Sequence, residues 1–130
     1  MIKKKILIVN ANYYKEISLG LLSSAKKTLP RNFQIEVIDV PGVFEIPVTI
    51  SKNIKRFDAF IALGCVIKGQ TPHFDFISKA STDAIMNLSI SSKKPVGNGI
   101  ITCLNYKQAI PRKKKGMEAA KAVLSILNQK

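Results

Sequence analysis

His73 is the only histidine in 130 residues, and it closes the run Lys68-Gly69-Gln70-Thr71-Pro72-His73. An imidazole with an ordinary pKa of about 6.5 exchanges protons near neutrality. Just upstream, Lys68 offers a positive charge and Thr71 a hydroxyl donor. Gly69 is expected to give the chain a tight or left-handed turn. A helix is expected from His73 onward, and the first N–H groups of a helix have no intrahelical partner, so they favour an anion. Such a set can move protons beside a bound anion. The same spacing also suits a plain helix-capping loop that happens to carry a histidine.

Three further segments carry unusual residues. Glu45 stands between Phe44 and Ile46 in Val40-Pro41-Gly42-Val43-Phe44-Glu45-Ile46-Pro47. A carboxylate in apolar surroundings needs hydrogen-bond donors. It reads either as a first-turn acid that suits the helix dipole or as an acceptor for ligand hydroxyls. Tyr13 and Tyr14 follow an apolar run, where they can stack on a flat heterocycle or simply pack at a helix start. Arg112-Lys113-Lys114-Lys115 precedes the last helical pattern and reads as a solvated helix end or as positive charge for a phosphate. Cys65 and Cys103 both lie in apolar runs and read as buried small hydrophobes. Two cysteines and one histidine do not complete a four-ligand metal site.

These residues need a frame. Ile6–Val9, Phe33–Val40, Ala59–Ile67 and the stretch from Pro95-Val96 to Ile100-Ile101 read as strands, the first and third apolar enough to be buried on both faces. Between them, Ile17, Leu21, Leu22, Ala25 and Leu29 recur at helical spacing and stop at Pro30; Ile46, Ile50 and Ile54 form a second face. Ile77, Ala80, Ala84, Ile85 and Leu88 form a third, and Met117, Ala120, Val123, Leu124 and Leu127 a fourth. Strand–helix alternation predicts one α/β domain over residues 1–130, a four-stranded parallel sheet covered by helices on both faces. Ligands of such folds bind at the carboxyl ends of the strands. That selects the loops after Val9, Val40, Val66-Ile67 and Ile101.

Composition narrows the classes. The formal net charge is +13, from 21 basic and 8 acidic residues. Only Arg31, Arg56 and Arg112 are arginines, and the lysines are scattered, with no aromatic RNA-binding motif or zinc finger. Nucleic acid is therefore not the expected partner. No apolar run approaches the roughly 20 residues that span a bilayer. The opening Met1-Ile2-Lys3-Lys4-Lys5 leads into an apolar run too short for a signal peptide. With two cysteines, a cytoplasmic location is expected.

Four segments, in chain order, resemble those of the lumazine synthase family. Val40–Pro47 is similar to the family's VPGAFEIP segment, and Ala62–Asp75 to ALGxVIRGxTxHFD. Asn98-Gly99-Ile100-Ile101-Thr102 with Gln108-Ala109 and Arg112 resembles GVLT…QAxxR, and Lys115–Ala120 resembles KGxEAA. The resemblance implies a flavodoxin-like three-layer α/β/α sandwich. It implies condensation of 5-amino-6-(D-ribitylamino)uracil with 3,4-dihydroxy-2-butanone 4-phosphate to 6,7-dimethyl-8-ribityllumazine, with loss of phosphate and water. It also implies no metal, no redox cofactor and sites between neighbours of a pentamer, with riboflavin synthase as a candidate partner. Alternatives within the fold are a riboflavin synthase and a non-catalytic lumazine- or flavin-binding protein.

Carried over position by position, the resemblance puts Tyr13 on the uracil ring and Val43, Phe44 and Glu45 on the ribityl chain. Cys65, Val66 and Ile67 present backbone to the pyrimidine, and Lys68 occupies the place of a commoner arginine. Gly69, Gln70 and Thr71 cradle the phosphate, and His73 carries protons. Arg112, Lys115 and Asn98 reach in from the neighbour. Asn98 stands where many members have an aromatic, Tyr14 where many have Asn. The Arg112–Lys115 spacing is shorter than usual, and the chain starts close to its first strand. Both features favour a plain pentamer over a sixty-subunit shell.

Overall fold

The computed structural model describes residues 4–129, so the reading of Met1–Lys3 as the approach to a strand lies outside the described residues. Strands β1 (Lys5–Ala11), β2 (Gln34–Val40), β3 (Ala59–Ile67) and β4 (Val96–Cys103) form one sheet in the order β2-β1-β3-β4. Every pairing is parallel, with Ile8 opposite both Val37 and Ile61, and Cys65 opposite Ile101. The two strands expected to be buried on both faces, β1 and β3, are the central ones.

Alternation along β1 assigns its side chains to two cores. Ile6 and Ile8 pack with Ile17, Leu21 and Ala25 of α1 (Lys15–Thr28) and with Ala119, Ala120 and Val123 of α5 (Lys115–Leu127). Leu7, Val9 and Ala11 pack with Ile46 and Ile50 of α2 (Ile46–Lys52) and Ile85 of α3 (His73–Ser92). Two helices therefore cover each face, the three-layer α/β/α arrangement expected. Pro47 sits in the first turn of α2, where its missing N–H breaks no helical bond. None of the described helices is long and apolar enough to cross a membrane.

Two local expectations change. Gly69 does not adopt a left-handed conformation; no described glycine has positive φ, and a Cβ on Gly69 would meet nothing within 4 Å. Five residues separate β3 from α3, enough for the chain to turn without a left-handed step. The basic run around Arg112 is the solvated helix end read in the sequence, but the connection that leads to it from β4 is helical rather than a loop. After β4 comes α4 (Tyr106–Ala109), whose Asn105 side chain accepts from the Gln108 N–H (3.0 Å), and a 3₁₀ turn over Ile110–Lys114 leads straight into α5. The short spacing noted in the sequence is thus filled by continuous helical turns.

That segment is docked on α1. The Ser24 hydroxyl donates to the Lys113 carbonyl (2.9 Å) and accepts from the Met117 N–H (3.1 Å). A Cβ on Gly116 would collide with the Leu21 carbonyl, so only glycine lets the start of α5 lie this close to α1.

Candidate functional site

A cavity of about 600 Å³ opens at the carboxyl ends of β1, β2 and β3. Its walls come from Tyr13 and Tyr14 after β1, from Gly42, Val43, Phe44 and Glu45 after β2, from Cys65, Val66 and Ile67 of β3, and from His73 and Ile77 of α3. Nine of the residues singled out in the sequence meet here: Tyr13, Tyr14, Val43, Phe44, Glu45, Cys65, Val66, Ile67 and His73. Gly42 and Ile77 join them. Ile77 had a legible signal, being one helical turn beyond His73 on the same helix.

The β2 wall is seated by glycine. A Cβ on Gly64 would stand 2.7 Å from Val43 Cγ2, so the bare backbone at 64 is what admits the buried Val43 against β3. With Val43 fixed, the 3₁₀ turn Val43–Glu45 leaves Phe44 64% exposed and Glu45 half-buried. The Glu45 carboxylate folds back over Gly42, whose added Cβ would lie 3.2 Å from Oε1. It has no ion pair or side-chain hydrogen bond with another described residue, so its acceptor sites remain open to hydroxyl groups in the cavity.

The floor is apolar and proton-retaining. Burial first, then the neighbouring Cys103 thiol, push the Cys65 thiol up from 9.0 to about 12. A thiol of that kind is neutral and unreactive near neutrality, so Cys65 serves as packing and as strand backbone, in line with its reading as a buried hydrophobe. The Tyr14 hydroxyl is also raised, by burial first and then by Cys65 and Tyr13.

The approach to α3 is open. Lys68, Gly69, Gln70, Thr71 and Pro72 are exposed, as is His73. The Lys68 N–H donates to the Cys103 carbonyl (2.9 Å), which fixes the start of the loop to β4. The Thr71 hydroxyl accepts from the His73 N–H (3.4 Å), and Pro72 gives no side-chain cap. Lys68, Gly69, Gln70 and Thr71 lie outside the cavity lining, between β3 and His73.

The remaining cations face a second cavity, of about 560 Å³, formed by Ile100, Ile101 and Thr102 of the edge strand β4 with Pro111, Arg112, Lys114, Lys115 and Glu118. Arg112 Nη1 donates to the Thr102 carbonyl (3.1 Å) and contacts Cys103 Sγ (3.8 Å); Lys115 Nζ lies 3.8 Å from Glu118 Oε1. The two cavities share no lining residue. Within one chain, therefore, Arg112 and Lys115 are not brought into the cavity that holds His73. Asn98 lines neither; it is exposed on β4, and its Oδ1 accepts from the Ile100 N–H (3.0 Å).

Comparison with known proteins points one way. Residues 3–130 match the family described as 6,7-dimethyl-8-ribityllumazine synthase. The chain is 40% identical to the 6,7-dimethyl-8-ribityllumazine synthase of Agrobacterium fabrum, with all of this chain and 97% of the relative aligned. It is 41% identical to that of Rhodopseudomonas palustris strain BisA53, covering 97% of this chain and 85% of the relative. It is 42% identical to that of Bartonella henselae, covering 96% and 87%.

Proposed function

Because the chain belongs to the 6,7-dimethyl-8-ribityllumazine synthase family, we propose that it joins 5-amino-6-(D-ribitylamino)uracil to 3,4-dihydroxy-2-butanone 4-phosphate, releasing phosphate and water. The observation that carries this reading is the cavity that combines an apolar floor, exposed aromatic rings, one unpaired carboxylate and the single histidine. Tyr13 stacks on the uracil ring, and Val43 and Phe44 flank the ribityl chain while Glu45 accepts its hydroxyls. The ends of Cys65, Val66 and Ile67 supply backbone groups to the pyrimidine edge.

The phosphate lies beside the cavity, toward the exposed start of α3. There Gly69, Gln70 and Thr71 offer backbone and hydroxyl donors, Lys68 adds charge, and the α3 N-terminus favours an anion. His73, exposed at that point, carries protons during imine formation, phosphate loss and ring closure. Holding both substrates together supplies the larger part of the rate gain, since good alignment can be worth roughly 7–11 kcal/mol. A positioned proton carrier adds about 10²–10⁴-fold.

Arg112, Lys115 and Asn98 complete the site of a neighbouring copy, with Arg112 clamping the phosphate. Support comes from the separation of the two cavities: Arg112 of the 3₁₀ turn and Lys115 of α5 face the edge strand β4 rather than their own His73. The working unit is then a homo-oligomer, a pentamer by the family's pattern, and the location cytoplasmic. The test is an absorbance assay with both substrates, which should show lumazine forming. Lumazine binding without turnover would defeat the enzyme reading in favour of a binding protein. Complementation is the sharper arm: mixing the impaired His73→Ala with the impaired Arg112→Ala should raise activity above that of either alone, through sites that pair one intact half from each. No such rise after the mixed chains have exchanged subunits would overturn the shared site.

A further inference from the structure

The chain has three tyrosines and no tryptophan, and all three tyrosines stand in one row. Tyr13, at the cavity mouth, is 74% exposed. Its ring meets Tyr14 edge-on, with centroids 4.9 Å apart and planes at 80°. Tyr14 is half-buried against the core, and behind it Tyr106 of α4 follows at 6.1 Å and 54°. The Tyr106 hydroxyl donates to Glu16 Oε2 (3.2 Å), while Glu16 Oε1 faces Lys113 Nζ at 3.9 Å. Lys113 is itself held down: its stem crosses α1 over Gly20, where any side chain would strike Lys113 Cδ, and its carbonyl accepts from Ser24.

A largely exposed ring with one aromatic neighbour keeps its orientation only as well as that neighbour is held. We infer that Tyr106 and Glu16 are positioning residues for the ring-binding cavity: Tyr106 braces Tyr14, Tyr14 orients Tyr13, and Glu16 anchors Tyr106 while gripping Lys113. Neither Tyr106 nor Glu16 lines the cavity. The inference rests on Tyr13 being the residue that stacks on the uracil. It is compatible with the chemistry of the row, because partial desolvation and then the Glu16 carboxylate raise the Tyr106 hydroxyl, so it stays a donor across the neutral range.

The lack of tryptophan makes the row directly visible, since tyrosine emission and the tyrosine bands of the near-ultraviolet circular dichroism, at longer wavelength than those of the six phenylalanines, report these three rings. The experiment uses the whole chain, with Tyr106→Ala, Tyr106→Phe and the surface change Glu16→Gln, titrated with the ribitylaminouracil and assayed with both substrates. Tyr106→Ala should raise KM for the ribitylaminouracil about 3–10-fold, the usual scale of a lost aromatic pair. Its kcat and its KM for the sugar phosphate should stay within about twofold. Tyr106→Phe, which keeps the ring, should restore most of the loss, and Glu16→Gln should give a smaller rise with a changed tyrosine dichroism. An unchanged KM for the ribitylaminouracil in Tyr106→Ala would overturn the inference, as would equal losses toward both substrates. If the wild type binds the ribitylaminouracil but makes no lumazine, the catalytic reading fails alone. The tyrosine titration then decides this one, since weaker binding in Tyr106→Ala upholds it and equal binding overturns it.

Discussion

The cavity beneath Tyr13 and the cavity beside Arg112 sit at the same end of one sheet, yet different forces shape them. The first is walled by the ends of β1 and β3, whose residues also form the core, and by the Val43 turn pressed onto Gly64. Its shape follows from packing between central strands. The second lies on the edge strand β4 and on a basic helical segment held to α1 by Ser24 and Gly116. Its shape follows from one helix–helix contact and from solvated cations. The difference teaches that the ring half depends on the central strands, whereas the phosphate half depends on how α5 docks against α1 and β4.

The largest expected effect tests whether chemistry resides in the first cavity. His73→Ala should lower kcat about 10²-fold or more while KM for either substrate changes little, as steady-state kinetics will read. A rise in KM with kcat intact would make His73 a binding residue instead. Next comes the seat of the second cavity. Gly116→Ala drives a methyl at the Leu21 carbonyl and should destabilise the fold by about 1–3 kcal/mol, the usual scale of overpacking, measured by urea unfolding. Where the protein remains folded, its KM for the sugar phosphate should suffer before that for the ribitylaminouracil; the reverse order would dissolve the contrast between the halves.

Arg112→Ala should then weaken use of the sugar phosphate by about 10–100-fold in kcat/KM, the scale of a lost charge-assisted hydrogen bond, with Arg112→Lys recovering part of it. Equal loss toward both substrates would contradict its role as a phosphate clamp. The last effect is confined to alkaline pH. The Cys65 thiol is raised in the folded chain to about 12, so its contribution to stability is complete below the unfolded value near 9 and is lost as pH climbs from 9 toward 12. Thermal melts should therefore fall less steeply in that alkaline window for Cys65→Ala than for the wild type. Parallel melting curves would place the alkaline sensitivity elsewhere.

Most of the first cavity was legible in the sequence, because strand ends announce themselves. An apolar run such as Ala59–Ile67 can only be a buried strand or helix, and Gly64 to His73 then has to sit at its carboxyl end. Ile77 was less legible as a lining residue, since it also reads as ordinary helix-face packing. The solvated helix end at Arg112 was legible, but the helical turns that lead into it were not. Its charges predict a solvated stretch, and only the Asn105 cap and the docking on α1 make residues 106–114 helical. The left-handed turn at Gly69 was the reverse case: glycine permits such a conformation without requiring it.

By itself, the sequence determined the four strands, the four main helices and which chemistry-bearing side chains stand where strands end, though it put Ala80 rather than Ser81 on the buried face of α3. Those properties follow from local periodicity, which records the face each residue must turn away from water. It also carried the family in motifs that need no folding to be read. The tertiary structure alone decided that His73 and Arg112 open into separate cavities, and that Tyr106 joins the adjacent pair Tyr13 and Tyr14 in one row. Both depend on the strand order β2-β1-β3-β4 and on how closely α1, α4 and α5 dock. Contacts between residues some ninety positions apart, such as Glu16 with Tyr106, leave no periodic trace, because they are set by packing between elements rather than within them.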